Sequence, residues 1–463
     1  MKWTKWTLWL LFSDYLSAAV SWVLFFAFRQ EFVEGISFKS DDNLLVGLLI
    51  LPILWLLLYS LQGVYFEVHR LFRSKIMYQT IISTLIGCLI IFLFLILDDE
   101  VSTYKNYYQS LSSLLGFHFI ITLLPRLLII TSLIKALRKP NRGFRTVILG
   151  GSQKALDLYN EISGHVNSVN QFIGYINVNG NDRSLDGSLP YLGNYKDIPE
   201  LIRTLDIEEV ILAVESSDHD LLKNILLQLD NGKRLIKLLP DTYEIISGNI
   251  KMTNLFGVAL IEMQRDPMPL WQQAIKRALD ILFSIVALVL LLPMYVFSII
   301  AVRFSSPGSI FFLQERIGVD GKVFKIIKFR TMYENAEAAG PQLSSENDPR
   351  ITPIGRFMRK TRLDEIPQFA NVLIGDMSLV GPRPERQFYI DQIALKEPHF
   401  NQLTRVRPGI TSWGQVKYGY AENVEQMLQR MKYDLIYLKN RSLALDFKIM
   451  LHTVIIVFKA KGK

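Results

Sequence analysis

Four long apolar runs in the first third of the chain constrain its fold more than any other feature. They cover residues 7–28, 44–61, 76–97 and 111–134, and each approaches the ~20 residues that an α-helix needs to cross a bilayer. Buried helices in a soluble core are the alternative reading. However, 50% of the residues are hydrophobic and only 20% are charged. We therefore expect a bundle of four membrane-spanning helices, with residues 1–138 as the first domain.

Charges between the runs predict the orientation of the bundle. The connection between the second and third runs is basic, the next connection is acidic, and the segment after the fourth run is basic again. Positive charge stays on the cytoplasmic side, so we expect the N-terminus and everything after residue 135 in the cytoplasm. No small-residue cleavage site follows the first run, which favours an anchor over a signal peptide. The residues concerned are His69, Arg70, Arg73 and Lys75, then Asp98, Asp99 and Glu100, then Lys135, Arg138, Lys139, Arg142 and Arg145.

Two charged residues, Asp14 and Arg126, belong to the apolar runs themselves. Arg126 directly follows Pro125. Proline lacks a backbone N–H and clashes with the preceding turn, so we predict a break in the fourth helix at this point.

From Phe144 onward the pattern becomes that of an α/β domain. Strands alternate with helices, which implies a parallel sheet, and we expect a Rossmann-like, CoA-binding-like cytoplasmic domain over residues 139–265. Its glycine turn could cradle a nucleotide at a helix N-terminus, but it lacks the third glycine of the dinucleotide fingerprint. A structural or regulatory domain is therefore favoured over a cofactor site. The predicted strands are 145–149, 172–178 and 210–214, and the predicted helices run from Gly150-Gly151-Ser152 to Ile162, over 198–204 and over 220–229.

A fifth apolar run, residues 281–302, has basic residues on both sides. Lys276 and Arg277 precede it and Arg303 follows it, so both ends are predicted to be cytoplasmic. Pro293, near its middle, would kink the helix. We expect a re-entrant helix–break–helix over about 276–303 that enters and leaves by the same face, which is tolerated when protein satisfies the freed polar groups. A fifth spanning helix is the alternative.

Two adjacent carboxylates, Asp364 and Glu365, lie among many basic residues. Arginine matches phosphate oxygens bidentately and stays charged. A carboxylate among arginines can bind a divalent metal or attack phosphorus; mixed surface ion pairs are the alternative. The single cysteine, Cys88, excludes disulfides and thiolate zinc sites. The basic neighbours are Arg356, Arg359, Lys360, Arg362, Arg383 and Arg386.

A series of motifs surrounds this pair in a fixed order, and together they closely resemble the bacterial sugar transferase family. These proteins are polyprenyl-phosphate hexose-1-phosphate transferases, also called monotopic phosphoglycosyl transferases. The resemblance covers residues 276–463, and the helices and α/β domain ahead of it resemble the large form of that family. Ser412 departs from the pattern, since a glycine is more usual there. The motifs are Pro307-Gly308, Gln314-Glu-Arg316-Ile-Gly318, Lys328-Phe-Arg330-Thr-Met332, Asp364-Glu365, Gly381-Pro-Arg-Pro384 and Arg407-Pro-Gly-Ile-Thr-Ser-Trp-Gly-Gln415.

The resemblance implies a mixed, mainly helical catalytic domain over residues 266–463 and a two-step reaction. Asp364 would attack the sugar-bearing phosphorus of a UDP-sugar and expel UMP, giving a phosphosugar–aspartate intermediate. Polyprenyl phosphate would then attack that intermediate. Glu365 is the expected ligand of Mg²⁺, which neutralises the diphosphate. The expected location is the bacterial inner membrane, with the catalytic domain on the cytoplasmic face.

Further site residues follow from the same resemblance. Arg383, between two prolines, is expected to grip a phosphate. Lys328, Arg330 and Arg362 are phosphate-binding candidates for which structural salt bridges are an equal alternative. Trp413 and Gln415 could contact the uracil, with a packed tryptophan as the equal alternative.

Two other classes of function are weighed against this one. A membrane-bound, NAD-dependent nucleotide-sugar dehydratase also pairs spanning helices with a Rossmann domain, but the chain has no Tyr-x-x-x-Lys pair and its glycine fingerprint is broken. A non-catalytic scaffold of polysaccharide assembly is disfavoured because Asp364, Glu365 and Arg383 are all present. We expect a membrane, a UDP-sugar and polyprenyl phosphate as partners and no nucleic acid. The sequence leaves open a homodimer through the middle domain, the sugar transferred and the polysaccharide made.

Overall fold

The computed structural model divides the chain into two compact units, Met1–Met263 and Gln264–Lys463. The acidic loop of Asp98, Asp99 and Glu100 lies outside the residues that the model describes. The described residues are 4–96, 104–140, 142–164, 168–178, 182–214, 219–229, 234–239, 260–262, 266–334, 336, 340, 342–343, 348–419 and 421–458.

Four long helices begin the first unit, as the apolar runs predict. They are α1 (Lys5–Phe28), α2 (Asp42–Leu61), α3 (Arg73–Ile91) and α4 (Tyr104–Leu137). Thr4 and Asp41 cap the N-termini of α1 and α2, each accepting a hydrogen bond from a backbone N–H three residues on. Within the described residues, these four helices are long and apolar enough to cross a membrane. Their outward faces carry exposed leucine, isoleucine and phenylalanine side chains.

A buried ion pair ties the helices together. The Arg126 guanidinium, which is 0% exposed, donates through Nε and Nη2 to the Asp14 carboxylate at 2.7 and 2.9 Å. Its Nη1 donates to Thr80 Oγ1 at 2.8 Å, and Tyr65 donates to Asp14 Oδ2 at 2.7 Å. The guanidinium also lies over the ring of Tyr59, 3.9 Å from the ring centroid. Charges inside a membrane bundle are retained in this paired form because each partner satisfies the other.

The predicted break at Pro125 is wrong, because α4 continues through it. Proline lacks the N–H that would reach the Ile121 carbonyl oxygen four residues earlier. That oxygen instead accepts a hydrogen bond from Ser17 Oγ on α1, at 3.1 Å. A neighbouring helix therefore satisfies the freed carbonyl, which lets a membrane helix keep a proline.

The remainder of the first unit is a mixed α/β region with a largely parallel sheet. The sheet order is β3-β2-β1-β4-β5-β6, and only the β5–β6 pair is antiparallel. The sequence patterns predict β1, β2, β4 and the three helices to within a few residues, but they miss β3, β5 and β6. The elements are β1 (Phe144–Leu149), α5 (Gln153–Gly164), β2 (Asn170–Asn177), β3 (Tyr191–Asn194), α6 (Ile198–Thr204), β4 (Glu209–Leu212), α7 (His219–Leu229), β5 (Leu235–Leu238) and β6 (Ile261–Glu262).

The glycine turn after β1 is filled by the chain itself. A Cβ added to Gly151 would overlap the carbonyl oxygen of Asp182, and the Ser184 N–H donates to the Gly151 carbonyl at 2.9 Å. Asn177 Nδ2 holds the same segment by donating to the Asp182 carbonyl at 2.9 Å. Residues 182–184 therefore occupy the space over this turn.

A charge cluster joins the α2–α3 connection to the sheet. Glu209, buried at the start of β4, accepts from Arg70 Nη1 at 2.9 Å and from Lys237 Nζ at 2.8 Å. Asn170 Nδ2 donates to the same carboxylate at 2.8 Å, and Arg70 lies 4.9 Å from the ring centroid of Phe144. These contacts fix the sheet to a loop of the bundle.

The second unit opens with two helices, α8 (Leu270–Leu290) and α9 (Leu292–Ser305), bent by 63° relative to each other. The break lies at Leu291, and Pro293 is among the first two residues of α9. Proline is tolerated there because the first N–H groups of a helix lack intrahelical partners. The polar face of α8 packs on the unit, since Asp280 Oδ1 accepts the Leu379 N–H at 3.1 Å. Exposed apolar side chains continue along both helices.

Short elements follow these two helices. A two-stranded antiparallel sheet of β7 and β8 and a two-stranded parallel sheet of β9 and β10 lie between helices. The elements are β7 (Phe311–Ile317), β8 (Val323–Phe329), α10 (Pro353–Thr361), α11 (Gln368–Ile374), β9 (Ser378–Val380), α12 (Gln387–Lys396), β10 (Gly409–Thr411), α13 (Trp413–Lys417), α14 (Val424–Lys439) and α15 (Leu443–Phe458).

Candidate active site

A cavity of about 620 Å³ in the second unit brings the two carboxylates together with basic side chains. Of the residues predicted for the site, Lys328, Arg330, Asp364, Glu365 and Arg383 line it. Basic side chains outnumber acidic ones in its wall, which suits an anionic ligand. The other charged lining residues are Arg316, Glu334, Arg356, Arg359, Glu385, Arg386 and Arg430.

A tight turn between two helices positions the carboxylates. The helix α10 ends at Thr361, and Arg362 adopts a left-handed conformation with φ of 62°. A single 3₁₀ turn then carries Asp364 and Glu365 before α11 begins. A non-glycine residue in the left-handed region is uncommon and is often found at functional sites. After the chain reverses at Arg362, both carboxylates become part of the cavity wall.

Asp364 is poorly solvated and has an unpartnered oxygen. Its side chain is buried, and its Oδ1 has no hydrogen-bond partner among the residues that the structure describes. Burial, and then the negative charge of Glu365, raise the pKa of Asp364 to about 6, against the opposing charges of Lys328 and Arg359. An oxygen without hydrogen bonds keeps its lone pairs available for a ligand or an electrophile.

Both carboxylate oxygens of Glu365, by contrast, have basic partners. Lys328 Nζ donates to its Oε1 at 2.8 Å and Arg362 Nη1 to its Oε2 at 3.2 Å, and Arg383 Nη2 lies 4.0 Å from Oε1. Burial opposes ionisation of Glu365, but the charges of Lys328, Arg362 and Arg383 outweigh burial and hold its pKa well below the usual range. Burial also lowers the pKa of Lys328, against the attraction of Glu365. Two neighbouring carboxylates are thus pushed apart in acidity, which is typical of catalytic pairs.

The donor set is compatible with a hard divalent cation. Each Glu365 oxygen already accepts one hydrogen bond and keeps a second lone pair. No cluster of three or more acidic, histidine or cysteine side chains suited to a metal occurs in the described part of the chain. Mg²⁺ commonly binds through one or two carboxylates together with phosphate oxygens, so the pair fits an ion that arrives with its phosphates.

Backbone contacts between two strands hold the segment that carries Arg383. The Gly381 N–H donates to the Thr411 carbonyl at 3.1 Å and the Gly409 N–H to the Pro382 carbonyl at 2.9 Å. A Cβ on Gly381 or on Gly409 would overlap the other glycine's segment. The two motifs that contain these glycines therefore form one unit of packed backbone.

Arg330 lines the cavity, but its terminal nitrogens are committed elsewhere. Nη2 donates to the Ser306 carbonyl at 2.6 Å and Nη1 donates to the Pro307 carbonyl. Gly308 allows this approach, since a Cβ there would overlap the guanidinium. These contacts close the end of α9 and favour a structural role for Arg330 over the predicted phosphate contact.

Trp413 and Gln415 are not among the residues that line the cavity. Trp413 is half-buried against the cluster of Val372 and Met377, and Lys417 Nζ lies 5.0 Å from its ring centroid. The Gln415 N–H donates to Ser412 Oγ at 3.0 Å as part of an N-cap. Their placement favours the packing alternative over the predicted uracil contact.

An ion-pair chain in the cavity wall was not predicted from the sequence. Glu385, itself buried, accepts from Arg430 and lies 3.5 Å from Arg316 Nη1. Arg316 belongs to one of the quoted motifs, and Glu385 directly follows Pro384, so the signal for these two was present. Arg430 comes from α14, far along the chain, and no local pattern distinguishes it.

Two family models match the chain. Residues 271–460 match the bacterial sugar transferase model, and residues 60–240 match a CoA-binding domain model. An N-acetylgalactosaminephosphotransferase of Aeromonas hydrophila, named for UDP-N-acetylgalactosamine and undecaprenyl phosphate, is 39% identical over 46% of this chain and 49% of its own length. A UDP-glucose:undecaprenyl-phosphate glucose-1-phosphate transferase of Escherichia coli K12 is 34% identical over 57% of both chains. The match thus spans about half the length of these two relatives.

A third relative is covered more fully. An uncharacterized sugar transferase of Haemophilus influenzae is 31% identical over 339 residues, which are 68% of this chain and 69% of that protein. This long match and the sugar transferase model, which covers the cavity and both carboxylates, lead to one conclusion. The chain belongs to the bacterial sugar transferase family.

Proposed function

We propose that this protein transfers hexose-1-phosphate from a UDP-sugar to polyprenyl phosphate, giving polyprenyl-diphosphate-sugar and UMP. One observation carries the proposal: a buried Asp364 with an unpartnered carboxylate oxygen adjoins a Glu365 held ionised by three cations. A nucleophilic carboxylate needs lone pairs free of hydrogen bonds, and a diphosphate needs fixed positive charge around it. The names of the relatives, which pair UDP-sugars or undecaprenyl phosphate with phosphotransfer, support the same reaction class.

The first step is attack on the sugar-bearing phosphorus by ionised Asp364. A bond forms between a carboxylate oxygen and phosphorus, and the bond to the bridging oxygen breaks, so that its electron pair leaves with UMP. In the second step a phosphate oxygen of the polyprenyl phosphate attacks the same phosphorus. Asp364 then leaves as a free carboxylate, and neither step requires a general base because both nucleophiles are anions.

The cations in the cavity have distinct roles in this proposal. Arg383 and Lys328 would hold phosphate oxygens and neutralise the charge that develops on the leaving UMP. Arg362 would keep Glu365 oriented through their hydrogen bond. Glu365 would hold Mg²⁺, which supplies further neutralisation of the diphosphate when bound.

The membrane geometry follows from the same reaction. One substrate is a soluble nucleotide-sugar and the other is a lipid with its phosphate at the headgroup level. We propose that the bent pair of α8 and α9 is re-entrant on the cytoplasmic face of the bacterial inner membrane, with the break at Leu291 inside the bilayer. The α/β region is proposed as a Rossmann-like module that serves a structural role, because its glycine turn is filled by the chain. Initiation of exopolysaccharide, capsule or O-antigen synthesis is the corresponding pathway step.

The test is UMP release from a panel of UDP-sugars by the full-length protein in membranes, with and without polyprenyl phosphate and Mg²⁺. Asp364→Asn keeps the side-chain volume but removes the nucleophile, and we expect it to release no UMP. Asp391→Asn is the matched control, since Asp391 is exposed on α12 and accepts a hydrogen bond from Gln387 one turn away. We expect lipid- and metal-dependent release from one donor in the wild type and in the control. Release by Asp364→Asn would refute the nucleophile, and silence of the wild type across the panel would favour the non-catalytic alternative.

A further inference from the structure

A second cavity, of about 460 Å³, lies in the second unit and shares no lining residue with the cavity that contains Asp364. Its wall is formed by the first turns of α8, the turn between β7 and β8, the connection from α11 to β9, the segment before β10 and the end of α14. Small-molecule sites commonly have volumes of about 300–1,000 Å³. Basic side chains outnumber acidic ones in the wall, which suits an anionic ligand. The charged lining residues are Lys276, Arg277, Lys322, Arg405, Arg407 and Arg441, with Asp266, Asp280 and Asp376.

Three of the basic side chains hold the cavity wall together. Lys276 Nζ donates to Asp446 Oδ2 at 2.6 Å, and Arg441 Nη1 donates to Asp266 Oδ2 at 2.7 Å. Arg277 instead donates to two backbone carbonyls near the end of α11, at 2.7 and 3.1 Å. Carboxylates therefore neutralise the first two cations, whereas Arg277 is bound by uncharged groups and adds positive charge to the wall.

Two other basic residues, Lys322 and Arg407, keep donors for a ligand. The backbone of Lys322 is fixed in the β7–β8 turn, where its carbonyl accepts the Gly318 N–H at 2.8 Å and its N–H donates to the Val319 carbonyl at 3.1 Å. Its Nζ has no partner among the residues that the structure describes. Arg407 Nε donates to the Gly375 carbonyl at 3.0 Å, and its two terminal nitrogens have no partner in the described part of the chain. Two fixed segments thus present ammonium and guanidinium donors to one cavity, which is the chemistry that binds phosphate.

The helix α8 links this cavity to the segment that is proposed to enter the membrane. Lys276 and Asp280, on its first turns, line the cavity, and the apolar run 281–302 follows directly. Outside the cavity lining, Trp271 and Ile275 are each 43% exposed on the same turns. Tryptophan is enriched where a membrane meets water. If the run enters the bilayer, these turns lie at the level of the headgroups, where lipid phosphates are found.

We propose that this second cavity binds the phosphate of an anionic phospholipid headgroup, with Lys322 and Arg407 as its donors. The inference rests on the re-entrant placement of α8 and α9 in the proposed function, and it is independent of the reaction at Asp364. Free phosphate shares the chemistry of the headgroup, so the test compares the two sources.

The first measurement is the affinity of the full-length protein for phosphatidylglycerol in a neutral detergent, followed by native mass spectrometry. Hydrogen bonds to a charged group are lost in Lys322→Gln/Arg407→Gln, so we expect its affinity to fall by about 10-fold to 100-fold. Lys322→Gln alone should give a smaller loss, and its fold is safe because the Lys322 Nζ has no partner among the described residues. Lys325→Gln is the matched control, because Lys325 is exposed on β8, carries the same charge and does not line the cavity. Equal affinities of the double variant and the control would overturn the proposal.

The second measurement is hydrogen–deuterium exchange in nanodiscs of phosphatidylcholine, with and without phosphatidylglycerol. We expect phosphatidylglycerol to slow exchange at residues 318–323 and 405–407 in the wild type and in Lys325→Gln, but not in the double variant. Protection by inorganic phosphate alone, without an effect of phosphatidylglycerol, would overturn the lipid assignment.

A third variant reverses the sign of the expected effect. Asp376 lines the cavity and its carboxylate has no partner among the described residues, so it repels an anion. We expect Asp376→Asn to bind phosphatidylglycerol more tightly than the wild type, and weaker binding would overturn the anionic assignment. None of these measurements requires turnover. A wild type that binds the lipid but releases no UMP would therefore refute the proposed function and leave this inference standing.

Discussion

Replacing Asp364 by Asn is expected to stabilise the protein at neutral pH while abolishing its activity. The pKa of Asp364 is raised from 3.8 to about 6, chiefly by burial. Ionisation in the folded state is therefore less favourable than in the unfolded state by about 3 kcal/mol, at about 1.4 kcal/mol per pKa unit. This cost is fully present above pH 6, and it disappears as the pH falls through 6 toward 4. An amide in the same place carries no such cost.

Thermal unfolding of the full-length protein in detergent measures the effect. For a unit of this size, each kcal/mol shifts the midpoint by about 2–4 °C. We expect Asp364→Asn to unfold about 6–12 °C above the wild type at pH 8 and at the same temperature as the wild type at pH 4. Asp391→Asn, on the exposed face of α12, should change nothing at either pH. A midpoint at pH 8 that equals or falls below that of the wild type would refute the reasoning, as would a gain that persists at pH 4.

Two further predictions concern the buried ion pair of the helix bundle and the end of α9. Arg126→Leu leaves the Asp14 charge buried and unpaired, so we expect about 3–5 kcal/mol of lost stability. The double variant Asp14→Leu/Arg126→Leu should recover most of that loss, measured as the unfolding midpoint in detergent; equal losses in both would contradict this. Arg330→Lys cannot serve the carbonyls of Ser306 and Pro307 together, so it should lower the midpoint without raising the KM for the donor sugar. A raised KM would instead return Arg330 to the phosphate site.

Patterns of local sequence predict the helices and strands well where one physical rule dominates. Apolar length predicts the four membrane helices, and β-branched runs predict β1, β2 and β4. The short strands β3, β5 and β6 carry too few residues for a periodic signal, and their pairing depends on the completed sheet. Pro125 shows the same limit, because the Ser17 hydroxyl that satisfies the Ile121 carbonyl comes from a different helix.

In the site, too, some residues can be predicted from local motifs and others depend on tertiary contacts. The sequence motifs contain Asp364, Glu365, Lys328 and Arg383, and the fold brings all four to one cavity. Whether a basic residue faces a ligand or a backbone carbonyl depends on tertiary contacts, which is why Arg330 could not be assigned from its motif.

The close contact between the backbones of Gly381 and Gly409 limits where a substitution could change the preference for one UDP-sugar over another. The two backbones are in direct contact, so their separation does not depend on the size of the side chains that form the rest of the cavity. Glu385 lies two residues after Arg383 and is paired with Arg430, whereas Ser309 and Tyr333 line the cavity outside both segments. Substitution of Ser309 or Tyr333 is accordingly expected to change which sugar is accepted while leaving the proposed phosphate contact of Arg383 in place.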